Sequence, residues 1–295
     1  MNDCLNNKVQ NAISVLRTFE PKDDPKGYYL CYSGGKDSDC IRILAALAGV
    51  KHDIVHNLTT VDAPETIYYV RSIPNAIINK PEKTMWQLIV EKRMPPTRLA
   101  RYCCEELKER GGRGRLKITG VRHNESANRK ESADLVRIIG KPKTVQKAAI
   151  EIGADFNVTK QQGLIMNHDN DPARRLVEHC YRTTSTMINP IIDWTNDDVW
   201  EFLHYYGCES NPLYQCGKSR IGCIGCPMSG FKGMKREFAV YPKYSLNYVR
   251  AFDRMLKMRI EDGIPATGWE TGEDVMRWWV GDDPRQIRLE DIHYE

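Results

Sequence analysis

The sequence predicts an α/β protein, a twisted parallel sheet flanked by helices with a helical C-terminal appendage. Three observations carry this. Residues 28–58 read as strand, glycine turn, helix and strand. A further apolar strand pattern lies at 116–121, and the pattern after Cys226 is helical and basic. A chain of 295 residues can bury a core of this size without staples. Its 41% hydrophobic and 28% charged residues exclude a disordered chain, and no apolar run approaches the length of a bilayer span. The polar start, Met1 to Lys8, has no secretory pattern, so a cytoplasmic setting and no membrane partner are expected.

Each element has its own signal. Val9, Ile13 and Leu16 recur at helical spacing ahead of a loop at 23–27. Tyr28 to Tyr32 reads as a short buried strand. The turn at 33–36 runs into Ile41, Ile43, Leu44 and Leu47, a helix that Gly49 should end. Asp53 to Leu58 makes the next strand, and strand, helix, strand at this spacing implies a right-handed parallel crossover. Pro64 suits the first turn of another helix. Thr97 is expected to cap a helix through Leu107 that carries Cys103 and Cys104 and stops at Gly111. Leu116 to Val121 is a third strand.

The stretch 140–186 reads as an insertion, with a helix from Thr144, an apolar run at Leu164 to Met166 and a helix opened by Asp171-Pro172. Thr195 should cap a helix from Val199 to Tyr206, ended by Gly207. Beyond Cys226, Tyr244, Tyr248, Phe252, Met255 and Arg259 share one helix face, which reads as core packing ahead of a base-stacking platform. The domain reading is an N-terminal helix at 1–27, a nucleotide-binding domain at 28–230 carrying the insertion 140–186, and a helical region at 231–295.

The strongest chemical signal is Ser33-Gly34-Gly35-Lys36-Asp37-Ser38. Two glycines let the backbone turn sharply and present successive N–H groups, and the helix start behind them adds partial positive charge, so the turn suits a phosphate. Lys36 adds a full charge, and Ser33 and Ser38 add hydroxyls. The spacing differs from the Walker A loop.

After a strand, this loop resembles that of the ATP pyrophosphatases, the PP-loop superfamily of adenine nucleotide alpha hydrolase-like, Rossmann-like fold. Those enzymes cleave ATP between its α and β phosphates. More of the chain resembles one branch, the phosphoadenylyl-sulfate reductase family. Thr60-Val61-Asp62-Ala63-Pro64-Glu65-Thr66 matches its post-strand motif, and Gly120-Val121-Arg122-His123-Asn124-Glu125-Ser126 its Gly-x-Arg-x-x-Glu-Ser motif. Asn189-Pro190-Ile191-Ile192-Asp193-Trp194, Asn211-Pro212-Leu213-Tyr214 and Ile221-Gly222-Cys223-x-x-Cys226 follow in the family's order.

Ten cysteines in a reducing compartment point to metal or redox chemistry rather than disulfides. Cys103-Cys104 with Cys223 and Cys226 is similar to the four-thiolate pattern that holds a [4Fe–4S] cluster in adenylyl-sulfate reductases. Adjacent cysteines on a regular helix point about 100° apart, so using both requires a helix end or a distortion. Zinc on Cys208, Cys216, Cys223 and Cys226 is an alternative, although that spacing is unusual for a finger. Cys180 or Cys216 could also replace one of the tandem pair. Cys31 and Cys40 read as small buried residues.

Two departures from the reductases shape the expectation. The resemblance implies that true reductases carry degenerate phosphate loops and a C-terminal nucleophilic cysteine. Here the loop is intact, no cysteine follows Cys226 and the tail Arg285 to Glu295 is expected to supply no thiol. The pattern therefore resembles the sulfur-transfer subunits of DNA phosphorothioation systems and reductase-like proteins of phages. An ATP pyrophosphatase or sulfur-transfer enzyme ranks first, a sulfonucleotide reductase acting on phosphoadenylyl or adenylyl sulfate second, and a non-catalytic nucleotide- or nucleic-acid-binding partner third.

The expected roles are these. Ser33, Gly34, Gly35, Lys36, Asp37 and Ser38 bind phosphates, and Lys36 balances charge on leaving pyrophosphate. Asp37 works through a Mg2+ bridge. Asp62 sits at the end of the second strand, where open sheets bind ligands. Arg122 and Arg129 are phosphate or sulfate forks, and His123 has no assigned role. The catalytic set is Lys36, Asp37, Asp62 and Arg122. The expected partners are an adenine nucleotide and a sulfur-donor protein, and the basic run Arg110-Gly111-Gly112-Arg113-Gly114-Arg115 reads equally as a contact to nucleic acid or as a solvated connector.

Overall fold

The computed structural model describes residues 1–264 and 268–284, so the expectation for the tail from Arg285 to Glu295 lies outside the described residues. The chain divides into two compact units. One comprises residues 1–57, 64–79 and 111–221, and the other 58–63, 80–110 and 222 onward. This division cuts across the expected one at 28–230 and 231–295, because packing follows segments that return to each other rather than chain order. The N-terminal helix is part of the first unit's core.

The first unit is built on one eight-stranded sheet. Its strands are β1 (Tyr28–Cys31), β2 (His52–Asn57), β3 (Ile77–Asn79), β4 (Lys117–Ile118), β5 (Val136–Ile139), β6 (Asn157–Val158), β7 (Leu164–Met166) and β8 (Ser185–Ile188), in the order β3-β2-β1-β4-β8-β5-β7-β6. β1 runs parallel to β2, with Tyr28 beside His52 and Cys31 beside Val55, and parallel to β4 on its other side. β4 is parallel to β8. The sheet is mostly parallel, as the sequence predicts, with one antiparallel wing that the sequence reading lacked. β5 pairs antiparallel with β8 and β7, and β7 with β6. The insertion 140–186 supplies β6 and β7 of that wing. Its helices, Pro142–Ile152 and Asp171–Cys180, bury Val145, Ala148, Leu176 and Val177.

Local chemistry explains the other elements. The helix Asp3–Thr18 is capped by the Asn2 side chain and buries Leu5, Val9, Ala12, Ile13 and Leu16. The helix Lys36–Ala48 ends at Gly49, whose φ of +69° is a left-handed cap. Thr195 caps the helix Asn196–Tyr205. Cys40 is fully buried and Cys31 half-buried.

The second unit is helical, with Met85–Lys92, Gly230–Val240, Pro242–Glu261 and Gly272–Trp279. Tyr248, Phe252 and Met255 are buried, and Tyr248 packs against Trp86 (4.9 Å between ring centroids), Phe238 and Trp279. The aromatic stripe is core, as expected of it. The helix expected from Thr97 takes another form. The Thr97 hydroxyl accepts the Ala100 N–H in a turn, and the helix begins only at Tyr102. Cys103 and Cys104 sit in that single turn, which passes into a π-helix at Glu105–Glu109. No helix among the described residues is long and apolar enough to cross a membrane.

Candidate functional site

β1 leads directly into the glycine turn, and its two neighbours carry the chain in opposite directions, β2 and β3 to one side and β4 and β8 to the other. Such a reversal opens a crevice at the carboxyl ends of the strands. The loop 33–38 follows β1 and the segment 119–125 follows β4. The two approach so closely that a Cβ on Gly120 would stand 2.8 Å from the Asp37 carbonyl oxygen, which only glycine permits.

Within the loop, Gly34 takes φ +73°, a conformation that costs glycine little and other residues more. Gly35 is the extended residue that opens the helix Lys36–Ala48. The Ser38 hydroxyl accepts the Gly35 N–H (3.1 Å) and donates to the Gly35 carbonyl (2.7 Å). Ser33 Oγ lies 3.3 Å from Ser38 Oγ. The Lys36 N–H, first of the helix, donates to the Tyr214 hydroxyl at 2.9 Å, and Lys36 Nζ reaches Asp37 Oδ2 at 3.1 Å. Both residues of the pair are largely covered.

Arg122 stands differently from the fork that the sequence suggests. It is only 1% exposed. Its Nε donates to Asp37 Oδ1 (2.7 Å), Nη1 to the Trp194 carbonyl (3.1 Å) and Nη2 to Asn196 Oδ1 (2.9 Å). A guanidinium so enclosed holds Asp37 in place instead of reaching outward. Asp37 accordingly has one oxygen on Arg122 and the other on Lys36. The expected Mg2+ bridge does not fit this donor set, because the carboxylate is already neutralised by two cations. Arg129 lies half-buried in the short helix Ala127–Ser132, which Ser126 caps. His123 bonds the Ala133 carbonyl through Nε2 at 2.9 Å.

Behind the loop, Asp39 is fully buried on the same helix. Tyr32 Oη (2.6 Å) and Tyr69 Oη (2.9 Å) donate to it, and Arg42 Nε stands 3.7 Å away. Burial raises its carboxyl above the ordinary range, and the two tyrosines and Arg42 oppose that rise. Cys208 accepts from Arg42 Nη2 at 3.7 Å in this same network. The network ties the loop's helix to the helix Pro64–Ser72.

In the second unit, Cys103, Cys104, Cys223 and Cys226 line one cavity together with Thr59, Met85, Pro96, Leu107, Lys108 and Tyr248. Cys180, Cys208 and Cys216 are not in that lining, which holds two of the four cysteines of the alternative zinc set. The adjacent cysteines lie in one α-helical turn at a helix start, and a π-helix follows them. Cys103 donates to Cys104, which lowers the Cys104 thiol below its ordinary range against the effect of burial, with Arg101 (3.4 Å) adding to the fall. The same bond, with burial, raises Cys103.

Cys223 donates to Thr59 Oγ1 at 3.5 Å. Lys108 turns its ammonium toward Cys223 and Asp62, whose charges raise its pKa although burial opposes them. As they stand, the thiols leave a cavity of about 30 Å3, the room of one water molecule. Among the described residues, no group of three or more His, Cys, Asp or Glu is so arranged that it could hold a single metal ion.

Asp62 is not at the carboxyl end of β2, which stops at Asn57. It belongs to the second unit, where its backbone bridges that of Cys223 and its carboxylate accepts the Thr59 N–H at 2.7 Å. The pairing of 59–62 with 223–224 draws it there, including the Ile224 N–H to the Val61 carbonyl at 2.8 Å. Sequence reasoning missed Lys108 and the Asp39 network, and it gave Tyr214 only as part of a motif, without a role. Lys108 carried a signal, four residues after Cys104 on a helical stretch. The others become visible only when distant segments meet.

A family model for the phosphoadenosine phosphosulfate reductase domain matches residues 27–229. An uncharacterized protein of Methanocaldococcus jannaschii is 24% identical over 266 residues, 85% of this chain and 54% of that protein. An adenosine 5'-phosphosulfate reductase of Burkholderia cepacia is 28% identical over 95 residues, 30% of this chain and 34% of that enzyme. The chain thus spans about half or less of the length of these curated relatives. A phosphoadenylyl-sulfate reductase structure from Candida auris, a phosphate complex, overlaps 76% of this chain and 96% of its own, with a TM-score of 0.42 and 16% identity.

Proposed function

The chain belongs to the phosphoadenosine phosphosulfate reductase family, and from that premise we propose that it is a nucleotide-dependent enzyme that breaks the bond between the α and β phosphates of ATP. The observation that carries this reading is the intact loop at the switch point of the sheet, where Gly34, Gly35 and the helix start at Lys36 supply backbone N–H groups and an ammonium suited to phosphate. An acceptor's nucleophilic atom attacks the α phosphorus. The α–β bridging bond breaks, and its electron pair leaves with pyrophosphate. Lys36 Nζ exchanges its bond with Asp37 for the leaving group, balancing the charge that grows there. Arg122 is a positioning residue, acting on the loop through Asp37. No step is assigned to magnesium.

The four thiols of the second unit fit a [4Fe–4S] cluster in donor chemistry. They come from two separate segments, stand in a partly apolar shell, and have Lys108 and Arg101 to balance thiolate charge. Cys103, Cys104, Cys223 and Cys226 would hold it once Cys103 and Cys104 give up their mutual bond. When bound, the cluster supplies electron-transfer and electrostatic capacity for moving sulfur. A cluster held by thiolates suits a reducing compartment, and the proposal places the chain in the cytoplasm with a sulfur-donor protein as its partner. The family also supports a second reading, reduction of adenylyl sulfate or its 3'-phosphorylated form, for which sulfite release in the presence of thioredoxin is the mark.

The test compares the purified chain with its Lys36→Ala variant on ATP. Wild type should consume ATP and the variant should do so at least about 100-fold more slowly, the scale of one lost electrostatic donor. Equal rates would remove the loop from the reaction.

A further inference from the structure

The segment Asn211-Pro212-Leu213-Tyr214 has no part in the mechanism above, yet it grips the loop at two points. Asn211, fully buried, caps the short turn Pro212–Tyr214 with its Oδ1, and its Nδ2 donates to the Gly34 carbonyl (3.0 Å) and to Thr66 Oγ1 (3.2 Å). That anchors the turn. Tyr214 then places its hydroxyl 2.9 Å from the Lys36 nitrogen, as acceptor of the first N–H of the helix. A Cβ on Gly35 would stand 3.1 Å from the same oxygen, tight enough to disturb it.

The position of that oxygen is informative. The first N–H groups of a helix have no partner within the helix and are the donors that anions take. Here three of the loop's donors already have an oxygen of the protein upon them. Tyr214 Oη holds the Lys36 N–H, Ser38 Oγ the Gly35 N–H, and Asp37 Oδ2 the Lys36 ammonium. Two of these oxygens are local to the loop. Tyr214 alone of the three reaches it from nearly 180 residues away in sequence, |i−j| being 178. One N–H cannot give a linear hydrogen bond to both a phenol and a phosphate oxygen.

We propose that Tyr214 is the residue that sets the affinity of the loop for phosphate. Its hydroxyl stands where a phosphate oxygen takes the Lys36 N–H, and a bound phosphate displaces it. This rests on the reading of the loop as a phosphate site. The exchange has a built-in reporter, since Trp200 packs edge-on against Tyr214 with ring centroids 5.1 Å apart at 89°. Displacing the tyrosine changes what that indole touches.

The experiment titrates inorganic pyrophosphate into wild-type protein and Tyr214→Phe by calorimetry. It also follows tryptophan emission of wild type minus that of Trp200→Phe. Removing the competing hydroxyl should tighten pyrophosphate binding about 3- to 10-fold, the range of one net hydrogen bond. In wild type, with no change at Tyr214, the Trp200 emission should shift as pyrophosphate saturates. Equal or weaker binding by Tyr214→Phe would overturn the proposal. So would an unchanged Trp200 signal at saturation, which stands even if the variant fails to fold. Absence of pyrophosphate binding by wild type and variant alike would instead sink the phosphate reading of the loop, and the proposal with it.

Discussion

The phosphate loop and the cysteine cavity are built by opposite means. The loop is six consecutive residues between a strand and a helix, and its backbone is fixed by two glycines and a helix start. The cavity is assembled from residues near 59, from 85 to 108, and from 223 to 248, and its four thiols lie outside the unit's long helices. A local site needs only its own peptide and a sheet to stand on. A site gathered from separate segments exists only when the second unit has closed around it, so its chemistry and its packing rise and fall together.

This contrast gives the order of expected effects. The largest belongs to the cysteines. Protein prepared without oxygen should be brown with about four irons per chain, and Cys223→Ser should lose the colour and most of the iron. A colourless wild type carrying one zinc per chain, by elemental analysis, would contradict the cluster. If the two sites are separate in construction, Lys36→Ala should keep its full iron content while losing about 3–4 kcal/mol of transition-state stabilisation in kcat/KM. Loss of iron from that variant would erase the distinction drawn here.

Next comes the support beneath the loop. Arg122→Met removes three hydrogen bonds from a buried guanidinium and leaves Asp37 with Lys36 alone. Because Asp37 is a quarter exposed, the cost should be about 2–4 kcal/mol, below that of breaking a fully buried pair. A denaturant titration that finds under 1 kcal/mol would show the arginine to be ornamental.

The smallest effect is away from both sites. Burial would raise the Asp198 carboxyl, but Lys8 at 2.7 Å and the Thr195 N–H at 2.7 Å outweigh it and lower its pKa. A carboxylate lowered on folding contributes stability that is full above its ordinary value of 3.8 and is lost as pH falls through the depressed folded value. Asp198→Asn should therefore cost about 1 kcal/mol at neutral pH, allowing for solvent screening and the weakened cap, and less below pH 3.8. Melts at pH 7 and pH 3 check the sign. A loss that grows on acidification would refute it.

What the sequence made legible follows the same contrast. The strand, turn and helix from 28 to 48, the caps at Thr195 and Gly49 and the buried face of Tyr248 all rest on neighbours three or four residues apart, and all appear where the pattern puts them. The four cysteines were legible as a set. The cavity that gathers them was not, because it depends on the bridge from Asp62 to Cys223 and on a π-turn that no period announces. Asp62 was placed beside the wrong element for that reason. Arg122 reads as a phosphate or sulfate fork because burial is invisible in one dimension, and the antiparallel wing is hidden because short strands such as Asn157–Val158 leave little alternation to read.

The most direct test of the account is the identity of what the loop releases. Anaerobically purified protein should be incubated with ATP and its candidate sulfur donor, and the products resolved by phosphorus-31 NMR. The account predicts AMP or an adenylylated product together with pyrophosphate, both diminished in Lys36→Ala. ADP and inorganic phosphate in equal amounts would contradict it, because cleavage would then lie between the β and γ phosphates.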